Sequence, residues 1–244
     1  MPQGDEKAAA VRAMFDTIAD RYDLLNRLIS LGLDRTWRRR AVAALDLAPP
    51  SVVVDLACGT GDLCRELTKA GHRALGVDFS PRMLAAARAG AVPLVQADAT
   101  LLPVATGSVD GLVCGFALRN FVELAAVLVE VARVVRPGGR ISLLEVDEPR
   151  SKLVAAGHRI WFRGVVPGLG ALLSDGAAYR YLPRSVAYLP APAEMAALVE
   201  GVGFAELRRL RLHGGIAQVI AATRVGGRPL GGRTHPGRPG RNPT

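Results

Sequence analysis

The chain has 244 residues, half of them hydrophobic, enough to bury one core and form a single α/β domain. Its net charge of +9 is no evidence for a nucleic-acid partner. Four of the charges are Arg228, Arg233, Arg238 and Arg241 in an acid-free stretch, and the only lysines are Lys7, Lys69 and Lys152, a bias of composition rather than a binding patch.

No apolar run approaches the roughly 20 residues that cross a bilayer. The polar start Met-Pro-Gln-Gly-Asp-Glu is not expected to be a secretory signal. Cys58, Cys64 and Cys114 form no C-x-x-C pair, so the expectation is buried thiols in a reducing cytoplasm, with neither a disulfide framework nor a metal site.

Residues 6–46 read as helices, with Val11, Phe15, Ile18, Tyr22, Leu25 and Leu28 recurring at three- and four-residue steps. Strands are expected at 51–56, 73–77, 92–96, 109–114 and 140–146, alternating with helices. The first opens with Val52-Val53-Val54, a β-branched run suited to burial on both faces of a parallel sheet. It ends at Asp55, and Gly59-Thr60-Gly61 follows where strand must turn into helix.

Glycines there permit positive φ and let a ligand approach the backbone. Position 64 holds Cys64 where a dinucleotide fingerprint would carry its third glycine, which suits a nucleoside without a pyrophosphate. The second strand ends in Asp78, placed to accept hydrogen bonds from ribose hydroxyls. Ser80-Pro81 supplies a hydroxyl N-cap and a first-turn proline for the next helix. Asp98-Ala99 follows the third strand, and Gly115-Phe116 ends the fourth.

A helix is expected at 123–135, with Leu124, Val127, Leu128, Val131 and Val135 on one face, stopped by Pro137-Gly138-Gly139. Residues 151–189 read as an insertion, followed by a helix near 192–202. Two closing strands, 204–213 and 216–223, meet at Gly214-Gly215, a hairpin signal. The Gly/Pro/Arg stretch 225–244 has almost nothing to bury and is expected to be a disordered tail on a domain spanning 1–224. His72 is expected to be solvated on the rim away from the glycine loop, and His158 to belong to an exposed basic face.

Asp55-x-x-x-Gly59-x-Gly61 resembles motif I of the class I S-adenosylmethionine (SAM)-dependent methyltransferases. That resemblance implies a doubly wound, seven-stranded, mostly parallel sheet with N-terminal helices. It also implies SAM as cofactor, held by Asp55, Gly59, Thr60, Gly61, Asp78, Asp98, Ala99 and Gly115, with Asp98-Ala99 beside the adenine.

Three further segments are similar to one family, the C-methyltransferases of menaquinone and ubiquinone biosynthesis. They are Phe15-Asp16-x-Ile18-Ala19-x-x-Tyr22-Asp23-x-x-Asn26 with Trp37-Arg38, Gly115-Phe116-Ala117-Leu118-Arg119-Asn120, and Tyr179-Arg180-Tyr181-Leu182-Pro183-x-Ser185. Departures are Ala117 for the customary glycine, Gly115 where a serine often contacts SAM, and Glu145-Val146-Asp147-Glu148-Pro149 for Glu-Phe-Ser-Lys-Pro.

The resemblance implies methyl transfer to a ring carbon of a demethylated polyprenyl quinol, demethylmenaquinol to menaquinol, with Arg119, Asn120 and Tyr181 as catalytic candidates. Arg119 is read as stabilising a developing phenolate, against the alternative of an ion pair with a helix-borne acid. The altered 145–149 segment keeps open a tailoring methyltransferase of another aromatic small molecule. A lipid substrate implies transient contact with the inner membrane face. Lys152–Leu173, containing Trp161, has the mixed basic and apolar composition for that contact. The oligomeric state is not encoded in any motif.

Overall fold

The computed structural model describes residues 4–147, 149 and 188–226. Helices α1 (Gly4–Ile18), α2 (Tyr22–Ile29) and α3 (Asp34–Ala44) precede the sheet. Its strands are β1 (Val52–Leu56), β2 (Arg73–Asp78), β3 (Leu94–Gln96), β4 (Val109–Gly115), β5 (Val135–Val146), β6 (Phe204–Leu212) and β7 (Ala217–Arg224). Helices α4 (Asp62–Lys69), α5 (Pro81–Ala86), α6 (Leu124–Val134) and α7 (Pro192–Gly201) join them.

The strand order is β3-β2-β1-β4-β5-β7-β6. β1 to β5 pair parallel with one another, and β7 runs antiparallel to both β5 and β6. The order reverses between β1 and β4, so the connections leaving these two strands pass to opposite sides and open a crevice at the carboxyl edge.

Alternation along each strand divides the core into two layers. Val54, Leu112, Ile141 and Leu143 face α6 and α7, packing with Val127, Leu128, Val131, Met195 and Val199. Val53, Val113 and Leu144 face the opposite way, onto Trp37, Ala41 and Leu45 from the α3 segment and Leu63 and Leu67 of α4. A central strand clothed on both faces must be apolar at every position, and that is what the valine run supplies.

Most expected elements form, with small shifts at their ends. β5 begins at Val135 rather than 140, because Val135 pairs with Val109 directly after α6. The chain bulges at Pro137-Gly138-Gly139 before Arg140 resumes the ladder opposite Gly111. The Pro137-Gly138-Gly139 run expected to stop the helix therefore lies within the strand span instead, because α6 already ends at Val134 and Val135 is extended. The closing hairpin turns at His213-Gly214-Gly215, all three with positive φ.

His72 departs from expectation. It is 8% exposed, packed where α4 meets β2. His158, Trp161 and Tyr181, and nearly all of the expected insertion and tail, lie outside the described residues.

Candidate active site

The carboxyl ends of β1 to β4 open onto a cavity of about 360 Å³, within the range of small-molecule sites. Gly59 lies on its β1 side, Asp78 on its β2 side, Asp98 and Ala99 beyond β3, and Gly115, Phe116 and Asn120 beyond β4. The fourth wall comes from the N-terminal helices, through Val11, Arg12, Phe15 and Tyr22. Val11, Arg12 and Phe15 come from α1 and Tyr22 from the start of α2, so the stripe seen in the sequence is split between two helices and has two jobs. Ile18 and Leu25 pack with Met83, while Phe15 and Tyr22 sheathe the cavity, their rings edge to face at 5.9 Å.

Asp78 is the polar centre of this cavity. Its Oδ2 accepts the Gly59 amide at 2.8 Å and its Oδ1 accepts the Ser80 amide at 2.8 Å. Burial pushes its carboxyl above the ordinary range, against the pull of the N–H groups of Ser80 and Gly59, with the nearby charge of Asp16 adding to the rise. Ser80 caps α5 as the sequence predicts, its Oγ accepting the Met83 amide at 3.0 Å.

Gly59 has φ +53°, and a β-carbon there would meet only Tyr22, at 3.7 Å. The backbone is bare toward the cavity, as a ligand lying against it requires. Asp98 holds its loop by accepting the Thr100 amide at 2.8 Å and hydroxyl at 2.7 Å.

Five of the eight cofactor candidates line the cavity: Gly59, Asp78, Asp98, Ala99 and Gly115. The other three lie beneath the loop. Asp55 is completely buried and accepts the Cys64 amide at 3.0 Å and thiol at 3.2 Å, tying β1 to the first turn of α4. Its other oxygen, Oδ1, has no hydrogen-bond partner, and desolvation pushes the carboxyl up to about 7. Thr60 is 3% exposed and donates its hydroxyl to Asp23 of α2. Gly61, at φ +82°, packs so closely that a β-carbon would lie 2.7 Å from that of Ala89. These three shape the loop from below.

Asn120 lines the cavity and Arg119 is not among the lining residues. The Arg119 guanidinium pairs with Glu145, whose side chain is 1% exposed at the end of β5, and the Arg119 amide also reaches Glu145, at 3.4 Å. The acid is carried by a strand, where the sequence suggested a helix. Asp147, next in the altered segment, binds Arg209 at 2.8 Å and Arg211 at 3.5 Å.

Sequence reasoning missed the enclosing roles of Arg12, Phe79 and Met83. Helical spacing from Phe15 places Arg12 on the cavity face, but nothing local marks Phe79 or Met83. Arg12 lies over the Phe79 ring at 5.0 Å, joining the α1 wall to the β2 loop.

A doubly wound sheet of this order, a glycine loop bare to a cavity, and a partly buried carboxylate ending β2 define a class I SAM-dependent methyltransferase. Among solved structures the chain is similar to a SAM-dependent methyltransferase from Thermotoga maritima, with TM-score 0.62 and 19% identity, covering 88% of this chain and 99% of that one. At that identity the likeness concerns the fold.

The family is narrower: residues 3–224 match the ubiE/COQ5 methyltransferase family, and the chain belongs to it. It is 43% identical over 221 residues to the ubiquinone/menaquinone biosynthesis C-methyltransferase UbiE of Syntrophotalea carbinolica, covering 87% of this chain and 93% of that protein. It is also 43% identical over 216 residues to the demethylmenaquinone methyltransferase of Mycolicibacterium vanbaalenii, covering 88% and 95%.

The residues fit SAM. Asp78 offers a carboxylate to hydroxyl donors, the Gly59 backbone is open, and Phe15, Phe79, Met83 and Val127 give the cavity apolar walls.

Proposed function

We propose that the protein methylates a ring carbon of a demethylated quinol, converting demethylmenaquinol to menaquinol. The observation that supports this most is the match of relatives so named over most of their length, joined to a cavity that has the Arg119-Asn120 turn on its β4 side. SAM, when bound, supplies an electrophilic methyl group on a sulfonium. The ring carbon loses its proton in exchange for the methyl group.

The chain's part is to bind, orient and stabilise charge. Carbon becomes nucleophilic as the neighbouring ring hydroxyl gives up its proton and pushes electron density onto it. Donors aimed at that oxygen lower the barrier because they are fixed before the charge develops. Asn120 lies on the cavity wall with an amide that donates twice. Arg119 works from behind it: a guanidinium neutralised by Glu145 adds little field of its own, so its contribution is to hold the turn that presents Asn120. Tyr181, in the segment expected to be an insertion, is the third proposed group. Holding the reacting atoms in line near 3 Å contributes up to about 7–11 kcal/mol.

The substrate's polyprenyl tail places the reaction at a membrane surface. No helix among the described residues is long and apolar enough to cross a bilayer. We therefore assign the protein a peripheral contact through Lys152–Leu173, with its catalytic domain on the cytoplasmic side. Incubation with SAM and a short-chain demethylmenaquinol, followed by mass spectrometry, tests the reaction. One added methyl on a ring carbon is expected; transfer to oxygen, or no transfer while another aromatic acceptor is methylated, overturns it.

A further inference from the structure

Two carboxylates of the N-terminal segment reach the two loops that hold the cofactor. From the end of α1, Asp16 accepts the Ser80 hydroxyl at 2.5 Å, across 64 residues of chain. From the start of α2, Asp23 accepts the Thr60 hydroxyl, across 37 residues. Both hydroxyls belong to residues only 3% exposed. These bonds are neither helix caps nor local turns; each joins a separate wall to a cofactor loop.

What the hydroxyls hold gives the bonds their meaning. The Ser80 amide is fixed on Asp78 at 2.8 Å, so restraining Ser80 restrains that carboxylate. Thr60 lies between Gly59, whose amide also binds Asp78, and Gly61, the N-cap of α4. Cations flank both acids, with Arg12 3.9 Å from Asp16 and Arg65 4.0 Å from Asp23. The Tyr22 ring lies 3.7 Å from where a β-carbon on Gly59 would sit. A third tie closes the far end, where Lys7 Nζ donates to the Phe121 carbonyl at 2.8 Å, on the loop after β4.

The N-terminal segment is thus tied to the loops after β1, β2 and β4. We propose that Asp16 and Asp23 are positioning residues that latch α1 and α2 over the bound cofactor, through Ser80 and Thr60, and so set how fast it is exchanged. The latch must release and re-form at each turnover, because SAM enters and S-adenosylhomocysteine leaves. Hydroxyl-to-carboxylate bonds suit this, being strong when formed yet replaceable by water. Preformed loops also lower the cost of binding, which appears mainly in the dissociation rate.

The test measures release of radiolabelled SAM chased with excess unlabelled SAM, alongside thermal stability. Asp16→Ala and Asp23→Ala should each speed release about tenfold or more, with a smaller change in association. Asp16→Asn and Asp23→Asn should fall between wild type and alanine, because a carboxamide oxygen still accepts from a hydroxyl but lacks the charge. Thr60→Val removes the donor at nearly constant volume, and adding it to Asp23→Ala should cost little more. If an alanine variant does not fold, Thr60→Val against Thr60→Ser carries the same comparison. Folded alanine or valine variants that release SAM at the wild-type rate overturn the latch, as do asparagine variants as fast as alanine ones. Failure of the wild-type protein to bind SAM would instead refute the cofactor.

Discussion

The Gly59 amide donates to the Asp78 carboxylate at 2.8 Å, joining the loop after β1 to the loop after β2 across 19 residues. One side chain thereby orders the glycine backbone and remains on the cavity wall. Its partial burial gives each hydrogen bond more weight than it would have in water.

Asp78→Ala is therefore expected to lower SAM affinity ten- to a hundredfold, the equivalent of about 1.5–3 kcal/mol for lost bonds to a charged acceptor. Isothermal calorimetry reads this directly, and unchanged affinity would remove Asp78 from the site.

Arg119 and Glu145 form a pair with side-chain exposures of 8% and 1%. Removing one partner leaves the other buried and uncompensated, so Arg119→Met should cost about 3–5 kcal/mol of stability, with Arg119→Met/Glu145→Leu recovering much of it. Denaturant unfolding gives the comparison. If the folded single variant keeps wild-type SAM affinity but loses kcat, the turn it holds serves the substrate.

Asp55 gives a pH signature. Its carboxyl is pushed up to about 7 in the fold by burial, while in the unfolded chain it titrates near the ordinary 3.9. Between about pH 4 and 7 the folded state holds the extra proton. The group's stabilising contribution is thus complete below pH 4 and is lost as pH rises to 7, at up to about 1.4 kcal/mol per pH unit. The stability difference between Asp55→Asn and the parent should grow over that window in the variant's favour and level off above it. A flat difference would show that Asp55 is ionised in the fold throughout.

The proposed membrane contact has a built-in reporter. The chain has two tryptophans, and Trp37 is 5% exposed with its indole N–H held by His213 Nδ1 at 2.8 Å. A blue shift on adding anionic vesicles that contain a long-chain quinone therefore reports Trp161, and salt should weaken it. No shift at any vesicle concentration would argue against docking through this segment.

The sequence by itself determined the strands, the glycine loop and the acid ending β2. Each depends on short-range patterning: β-branched runs, residues that permit positive φ, and a cap followed by proline. It also determined the family, because its motifs are contiguous. Only the tertiary structure separated Gly59, which faces the cavity, from Asp55, Thr60 and Gly61, which support it from below; the direction a loop side chain points depends on what packs around it. The Arg119–Glu145 pair spans 26 residues and exists because β4 and β5 are neighbours in the sheet. The fourth wall is the same kind of fact: Asp16 and Asp23 find Ser80 and Thr60 only when the helices fold back over the carboxyl edge, a meeting that no local spacing encodes.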